Sequence, residues 1–192
     1  MIDSNPTAPS DRPKVLVILA HPDPEQSVVN QLMIQHITDL EHVTVHDIYA
    51  AYPEFFIDVK HEQGLLLTHD VIVFQHPLFM YSCPALLKEW IDRVLVKGFA
   101  FGKGRALEGK LWRSVITAGG QARAFSQFGY NKYPLEQILQ PFELTASLCR
   151  MQWVEPMVLY WARGVTQHEQ YQHAEQYRQW LSDLRGVNHG TD

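Results

Sequence analysis

Cysteine is scarce in this sequence: Cys83 and Cys149 are the only two, and they have no CxxC spacing. A disulfide scaffold is excluded, and both are read as free thiols, as a reducing compartment allows. Positive charge is scarce too. Sixteen Lys+Arg against 21 Asp+Glu leave a net charge of −5. No basic cluster relieves that balance, so a non-specific grip on phosphate backbones is disfavoured and no nucleic acid partner is expected. Long apolar runs are missing. The longest, such as residues 15–20 and 71–74, fall far short of the roughly 20 residues a membrane helix needs. Residues 1–12 lack the cationic start and apolar stretch of a secretory signal. They are expected to form a flexible tail, as are residues 186–192, around one domain at 13–185. A chain of 192 residues with 46% hydrophobic and 19% charged residues is long and apolar enough for one packed core.

What is present is an alternation of short apolar runs with helical patterns. Residues 14–20 and 70–75 are continuous β-branched and aliphatic runs, as strands covered on both faces would be. Residues 42–48, 114–117 and about 153–161 complete a set of five expected strands. Helices are expected over about 28–40 and over 58–69, the latter turning Leu65, Leu66 and Leu67 to the sheet. A third follows Pro84, with Ser82 as its cap and Leu86, Leu87, Trp90, Ile91, Val94 and Leu95 as a wide apolar stripe. Residues 134–149 form a fourth, presenting Leu135, Ile138, Leu139, Phe142 and Leu144, with a kink at Pro141. The last opens on a capping box, Thr166 with Glu169, and carries Tyr171, Ala174, Tyr177, Leu181 and Leu184 on one face. Five strands alternating with helices imply an α/β fold, a doubly wound parallel sheet with right-handed crossovers.

In such sheets the ligand sits beyond the carboxyl ends of the strands. The segments following strands one, three and four therefore carry the functional question. The first holds His21, then Ser27, Val28 and Asn30 where a helix begins. Hydroxyl, side-chain amide and free backbone N–H groups there suit an anion such as phosphate, or simply cap the helix. Neither GxGxxG nor a P-loop lysine is present, which argues against a dinucleotide Rossmann site and an NTPase. The second holds Pro77, Leu78, Phe79, Met80 and Tyr81, apolar faces and amides fit to line a flat heteroaromatic ring. The third holds Thr117, Ala118, Gly119 and Gly120, where backbone can approach that ring closely. A phosphate cradle, an apolar slot and N–H donors at the ring edge are what a flavin requires.

Several separated motifs carry a family resemblance. These are Leu19 to Pro22, Phe74 to Leu78, Cys83 to Val94 and Gly98 to Phe101. They resemble the flavodoxin-like NAD(P)H:quinone oxidoreductases over nearly everything from residue 13 to about 184. Within that family, residues 43–49, 52–58, 112–117, 140–143 and 160–163 resemble the ancillary proteins of the glutathione-regulated potassium-efflux systems. The resemblance implies strand order 2-1-3-4-5 and a homodimer with FMN, or alternatively FAD, at the three loops. It implies NADH or NADPH as reductant, and a quinone or an electrophilic small molecule as acceptor. It further implies an antiporter of KefB type as partner, and a cytoplasmic protein held at the inner membrane through that partner. A free-standing quinone reductase is the alternative. Carried over by motif, the flavin contacts are His21, Ser27, Val28 and Asn30, then Leu78, Phe79, Met80 and Tyr81, then Thr117 to Gly120. In the enzymatic relatives a Tyr and a His downstream of the Gly-Gly loop assist hydride transfer. Here Phe125 stands at the Tyr position, no His follows in that stretch, and Tyr130 is the candidate substitute.

Overall fold

A computed structural model describes residues 12–23 and 26–185. The two expected tails lie outside the described residues, apart from Arg12. The strands are β1 (Val15–Leu19), β2 (Val43–Asp47), β3 (Val71–Pro77), β4 (Leu111–Thr117) and β5 (Gln152–Leu159). All four pairings are parallel, in the order β2-β1-β3-β4-β5, so all five carboxyl ends meet one edge. Every residue of β3 is buried, as its unbroken apolar run requires for a strand covered on both faces. The helices are α1 (Val28–Gln35), α2 (Ile48–Ala51), α3 (Val59–Leu67), α4 (Ala85–Val94), α5 (Leu135–Leu148) and α6 (Gln167–Asp183).

Two cores result from the alternation of strand side chains. On one face Val15, Val17, Val73 and Val115 pack under Val29 and Met33 of α1 and Ala174, Tyr177 and Leu181 of α6. On the other, Leu16, Ile18, Phe74 and Trp112 pack under Leu66 of α3, the whole α4 stripe and Leu139 and Phe142 of α5. The capping box forms as expected, with Glu169 N–H donating to Thr166 Oγ1 and Thr166 N–H to Glu169 Oε2.

Several expectations are corrected. The first helix ends at Gln35 rather than near residue 40, and 36–39 continue as turns. The one-turn helix α2 carries no apolar periodicity; it forms because Asp47 accepts from the N–H groups of Tyr49 and Ala50. Ser82 does not cap α4, which starts after Pro84 with no side-chain cap. Leu67 and Leu144 are 56% and 68% exposed, because each sits off its helix's buried stripe. Tyr171 is likewise exposed. Along β4 and β5 the register slips between Arg113 and Val115, and Pro156 lies within β5 at the sheet's edge.

Among the described residues, one carboxylate sits wholly inside. The Glu62 side chain on α3 is fully buried and accepts from His46 Nε2 (2.8 Å), Trp90 Nε1 (2.7 Å) and the Tyr52 hydroxyl. Burial by itself raises the pKa of this carboxyl. The hydrogen bonds from His46, Tyr52 and Trp90 outweigh it and hold the pKa below the ordinary glutamate value. Burial, and then the bond to Glu62, push the Tyr52 phenol up, so it remains a donor.

Candidate functional site

A cleft of about 790 Å³ opens at the carboxyl ends of the strands. One wall is the start of α1. Ser27 occupies the N-cap position, yet its hydroxyl makes no bond to the helix. The residue is 4% exposed and its Oγ is buried without a partner among the described residues. The first helical bond runs from Gln31 N–H to Ser27 O at 2.9 Å, which leaves the N–H groups of Val28, Val29 and Asn30 at the positive end of the helix without intrahelical acceptors. A hydroxyl and amides with no acceptor among the described residues are suited at that end to an anion.

The floor is polar and buried. Gln75 Nε2 donates to Asn30 O (3.2 Å) and Asn30 Oδ1 (3.3 Å), and Asn30 Nδ2 donates to Thr117 Oγ1 (3.2 Å). The Asn30 amide thus gives one of its two N–H donors to Thr117. Opposite, Leu78 N–H donates to Thr117 O at 2.8 Å and Phe79 exchanges backbone bonds with Ser82. The two residues between them, Met80 (φ 47) and Tyr81 (φ 65), are both left-handed. That is the geometry of a type I′ turn, built with bulky residues where glycine or asparagine is usual. The Phe79 ring meets His21 edge-on at 6.1 Å. Burial lowers the His21 pKa, against the opposing effects of Asp23 and Asp47, so the ring is neutral near pH 7. Its Nδ1 accepts from Asp23 N–H at 3.2 Å, which leaves Nε2–H as a donor.

A Cβ placed on Gly119 would meet nothing within 4 Å, so bare backbone faces open space there. At Gly120 a Cβ would stand 3.0 Å from the Phe125 ring, which also packs on Tyr160 at 5.5 Å. The loop after β4 is zipped to the loop after β5 by Trp161 N–H to Gly120 O (2.8 Å) and Ala162 N–H to Ala118 O (3.0 Å). Gly164 permits this turn, since a Cβ there would stand 2.1 Å from the Trp161 ring.

Of the residues singled out in the sequence, His21, Ser27, Val28, Asn30, Pro77, Leu78, Phe79, Thr117, Ala118 and Gly119 all line the cleft. Met80, Tyr81, Gly120 and Phe125 are outside the lining, and Met80 is 90% exposed. Tyr130 also lies outside it, 89% exposed. Ala162, Arg163 and Gln170 line the cleft and were not anticipated. Their signal was available, because the fifth strand ends at the same edge as the other four. Arg163 is the one Lys or Arg in the lining. The orphaned Ser27 hydroxyl, the open amides of α1, the apolar Leu78 and Phe79 and the bare backbone at Gly119 fit a flat ring that carries a phosphate.

Comparison with known proteins agrees with this architecture. A curated relative 59% identical over 170 residues, covering 88% of this chain and 93% of its own length, is the glutathione-regulated potassium-efflux system ancillary protein KefG of Yersinia pseudotuberculosis. Among solved structures, general stress protein 14 of Treponema denticola, in complex with FMN, is 38% identical. It matches with a TM-score of 0.84 over 90% of this chain and all of its own. An NADPH-quinone reductase from P. pentosaceus is 30% identical, with a TM-score of 0.82 over 89% of this chain and 99% of its own. The Flavodoxin_2 model, described as a flavodoxin-like fold, matches residues 13–181, and with sheet order, cleft and relatives in agreement the chain belongs to that family.

Proposed function

We propose that this chain is a flavin-binding ancillary subunit that promotes a glutathione-regulated potassium-efflux antiporter of KefB type, with NAD(P)H:quinone reductase chemistry as a secondary capacity. The observation that carries the reading is the length of the likeness, 59% identity across 93% of the KefG relative. FMN is the preferred cofactor, on the support of the FMN-bound structural relative; FAD is the alternative. A bound flavin would supply hydride transfer from NADH or NADPH to a quinone, the second proton of the quinol coming from solvent.

The chain's own residues hold and shield that group. Ser27 and the amides of residues 28–30 take the phosphate, Leu78 and Phe79 cover the ring, and Thr117 and the backbone through Gly119 face its polar edge. Phe125 stands where the family resemblance implies a Tyr, and it offers no hydroxyl. Loss of one such donor costs on the order of 10² to 10³ in rate, which a regulator tolerates better than an enzyme.

Among the described residues no helix is long and apolar enough to cross a membrane. Attachment to the cytoplasmic side of the inner membrane would then run through the antiporter. A second reading, a free-standing quinone reductase, draws on the 30% identical NADPH-quinone reductase. Potassium efflux should be measured in cells carrying a KefB-type antiporter, with and without this chain, alongside pull-down from solubilised inner membrane. Efflux enhanced by the chain, with the antiporter recovered, supports the subunit. Ordinary quinone reductase rates with no effect on efflux would establish the free-standing enzyme instead.

A further inference from the structure

We propose that Gln75 is a positioning residue of the cleft, one that fixes the direction of a buried hydrogen-bond chain and thereby turns the Thr117 hydroxyl proton toward the ligand. The inference rests on the cleft being a flavin site. Gln75 lies on β3 beneath the first turn of α1 and is fully buried. Its amide contacts the backbone oxygen of Asn30 at 3.2 Å. That oxygen can only accept, so the atom facing it must be Nε2, a donor. The same Nε2 faces the Asn30 side chain at 3.3 Å, which obliges that atom to be the acceptor, Oδ1. The other end of the Asn30 amide is then the donor, and it meets Thr117 Oγ1 at 3.2 Å. Each orientation follows from the one before.

The consequence falls on Thr117. Its oxygen is already accepting from Asn30, so its own proton is free to be given to an acceptor elsewhere. Thr117 lines the cleft and its residue is nearly buried. The floor of the cleft thus presents a preset O–H donor, suited to a ligand with an oxygen or an unprotonated ring nitrogen at that point. Gln75 Oε1 is buried with no partner among the described residues, a deficit that a hydrophobic side chain of like shape would not carry. Gln75→Met deletes that orphan and creates another at Asn30 Oδ1, so the number of unpaired acceptors stays level. Thermal stability should stay near wild type while ligand affinity falls.

The test is a double-mutant cycle read by FMN binding to apo-protein through quenching of flavin fluorescence. Wild type, Gln75→Met, Thr117→Val and the double variant are titrated, with melting temperature recorded for each. Gln75→Leu replaces the Met variant if that one does not fold. If Gln75 acts through Thr117, each single change weakens FMN about threefold to tenfold, the span of one ordinary hydrogen bond. The double variant is then no weaker than Thr117→Val alone. Thr117→Ser, which keeps the hydroxyl, should restore binding to near wild type. Losses that multiply in the double variant overturn the inference, as does wild-type affinity in Gln75→Met. A wild-type chain that binds no flavin overturns the cofactor reading itself, and the two failures are thereby told apart.

Discussion

Replacing Glu62 by leucine should unfold the chain far more readily than replacing it by glutamine, and the hydrogen-bond geometry gives the reason. Leucine leaves the Trp90 indole N–H and the Tyr52 hydroxyl buried near an apolar group, and His46 without its carboxylate. Each unpaired buried group costs about 1–3 kcal/mol, and breaking a buried charged cluster about 3–5 kcal/mol in total. Glutamine fits differently. Its Oε1 can accept from Trp90 Nε1 while its NH₂ donates to the Tyr52 oxygen and to His46 Nε2 in the other tautomer. Each partner keeps a hydrogen bond to residue 62, but the Tyr52 proton loses its acceptor, and with the lost charge assistance the cost is about 2 kcal/mol. At about 2–4 °C per kcal/mol for a domain of this size, leucine should lower the melting temperature by about 6–20 °C and glutamine by about 4–8 °C.

The pH dependence carries a definite sign. A carboxyl whose folded pKa is lowered contributes stability above its unfolded pKa, and that contribution is lost as pH falls through the folded value. The difference between wild type and glutamine should therefore be full at neutral pH and shrink below about pH 4.3, where an unperturbed glutamate protonates. Urea denaturation of the three proteins at pH 7 and in acid measures this. A leucine variant within 1 kcal/mol of wild type at pH 7 would refute the reasoning.

Gly119→Val should leave the melting temperature unchanged, because its side chain enters open space, yet abolish or strongly weaken FMN binding; Lys14→Gln, at the opposite end of the strands, should bind FMN normally. Equal effects in fluorescence titration would place the site elsewhere. Replacing Met80 by asparagine and Tyr81 by glycine should each stabilise the protein by about 1 kcal/mol by relieving left-handed backbone, read by urea midpoint. Phe125→Tyr should raise NADH and NADPH oxidation and leave promotion of potassium efflux intact; a fall in oxidation would count against a missing donor there. Light scattering should give about 44 kDa, twice the 22.2 kDa chain, because exposed Phe56, Phe128 and Tyr130 leave apolar surface for a second copy to cover; 22 kDa at micromolar concentration would refute it.

The layers of this fold were legible because they rest on local pattern. The runs at β1 and β3 have the length and β-branching of doubly covered strands, and α4 carries its stripe without interruption, so these elements follow from period, whereas α2 follows from its Asp47 cap. Three loops of the cleft were legible for the same reason, since each follows a strand and shares one edge. What escaped depends on distant partners. Nothing near Asn30 says that its amide reaches Thr117, 87 residues away. Ala162 and Arg163 enter the cleft through backbone bonds between two loops, and backbone bonds leave no mark in side-chain composition. The Met80 and Tyr81 turn contradicts local preference outright, so only the surrounding structure could specify it.

The irregularity of β5 bears on how copies of this chain can meet. An edge strand is normally a template on which another strand can lie, and a regular β5 would invite a continuous sheet across two molecules. Here the register slip opposite Arg113, the missing amide hydrogen of Pro156 and the Arg113 Nε bond to Glu155 O at 3.0 Å interrupt that template. At the far margin β2 offers only five residues. Strand addition is discouraged at the β5 margin by those interruptions.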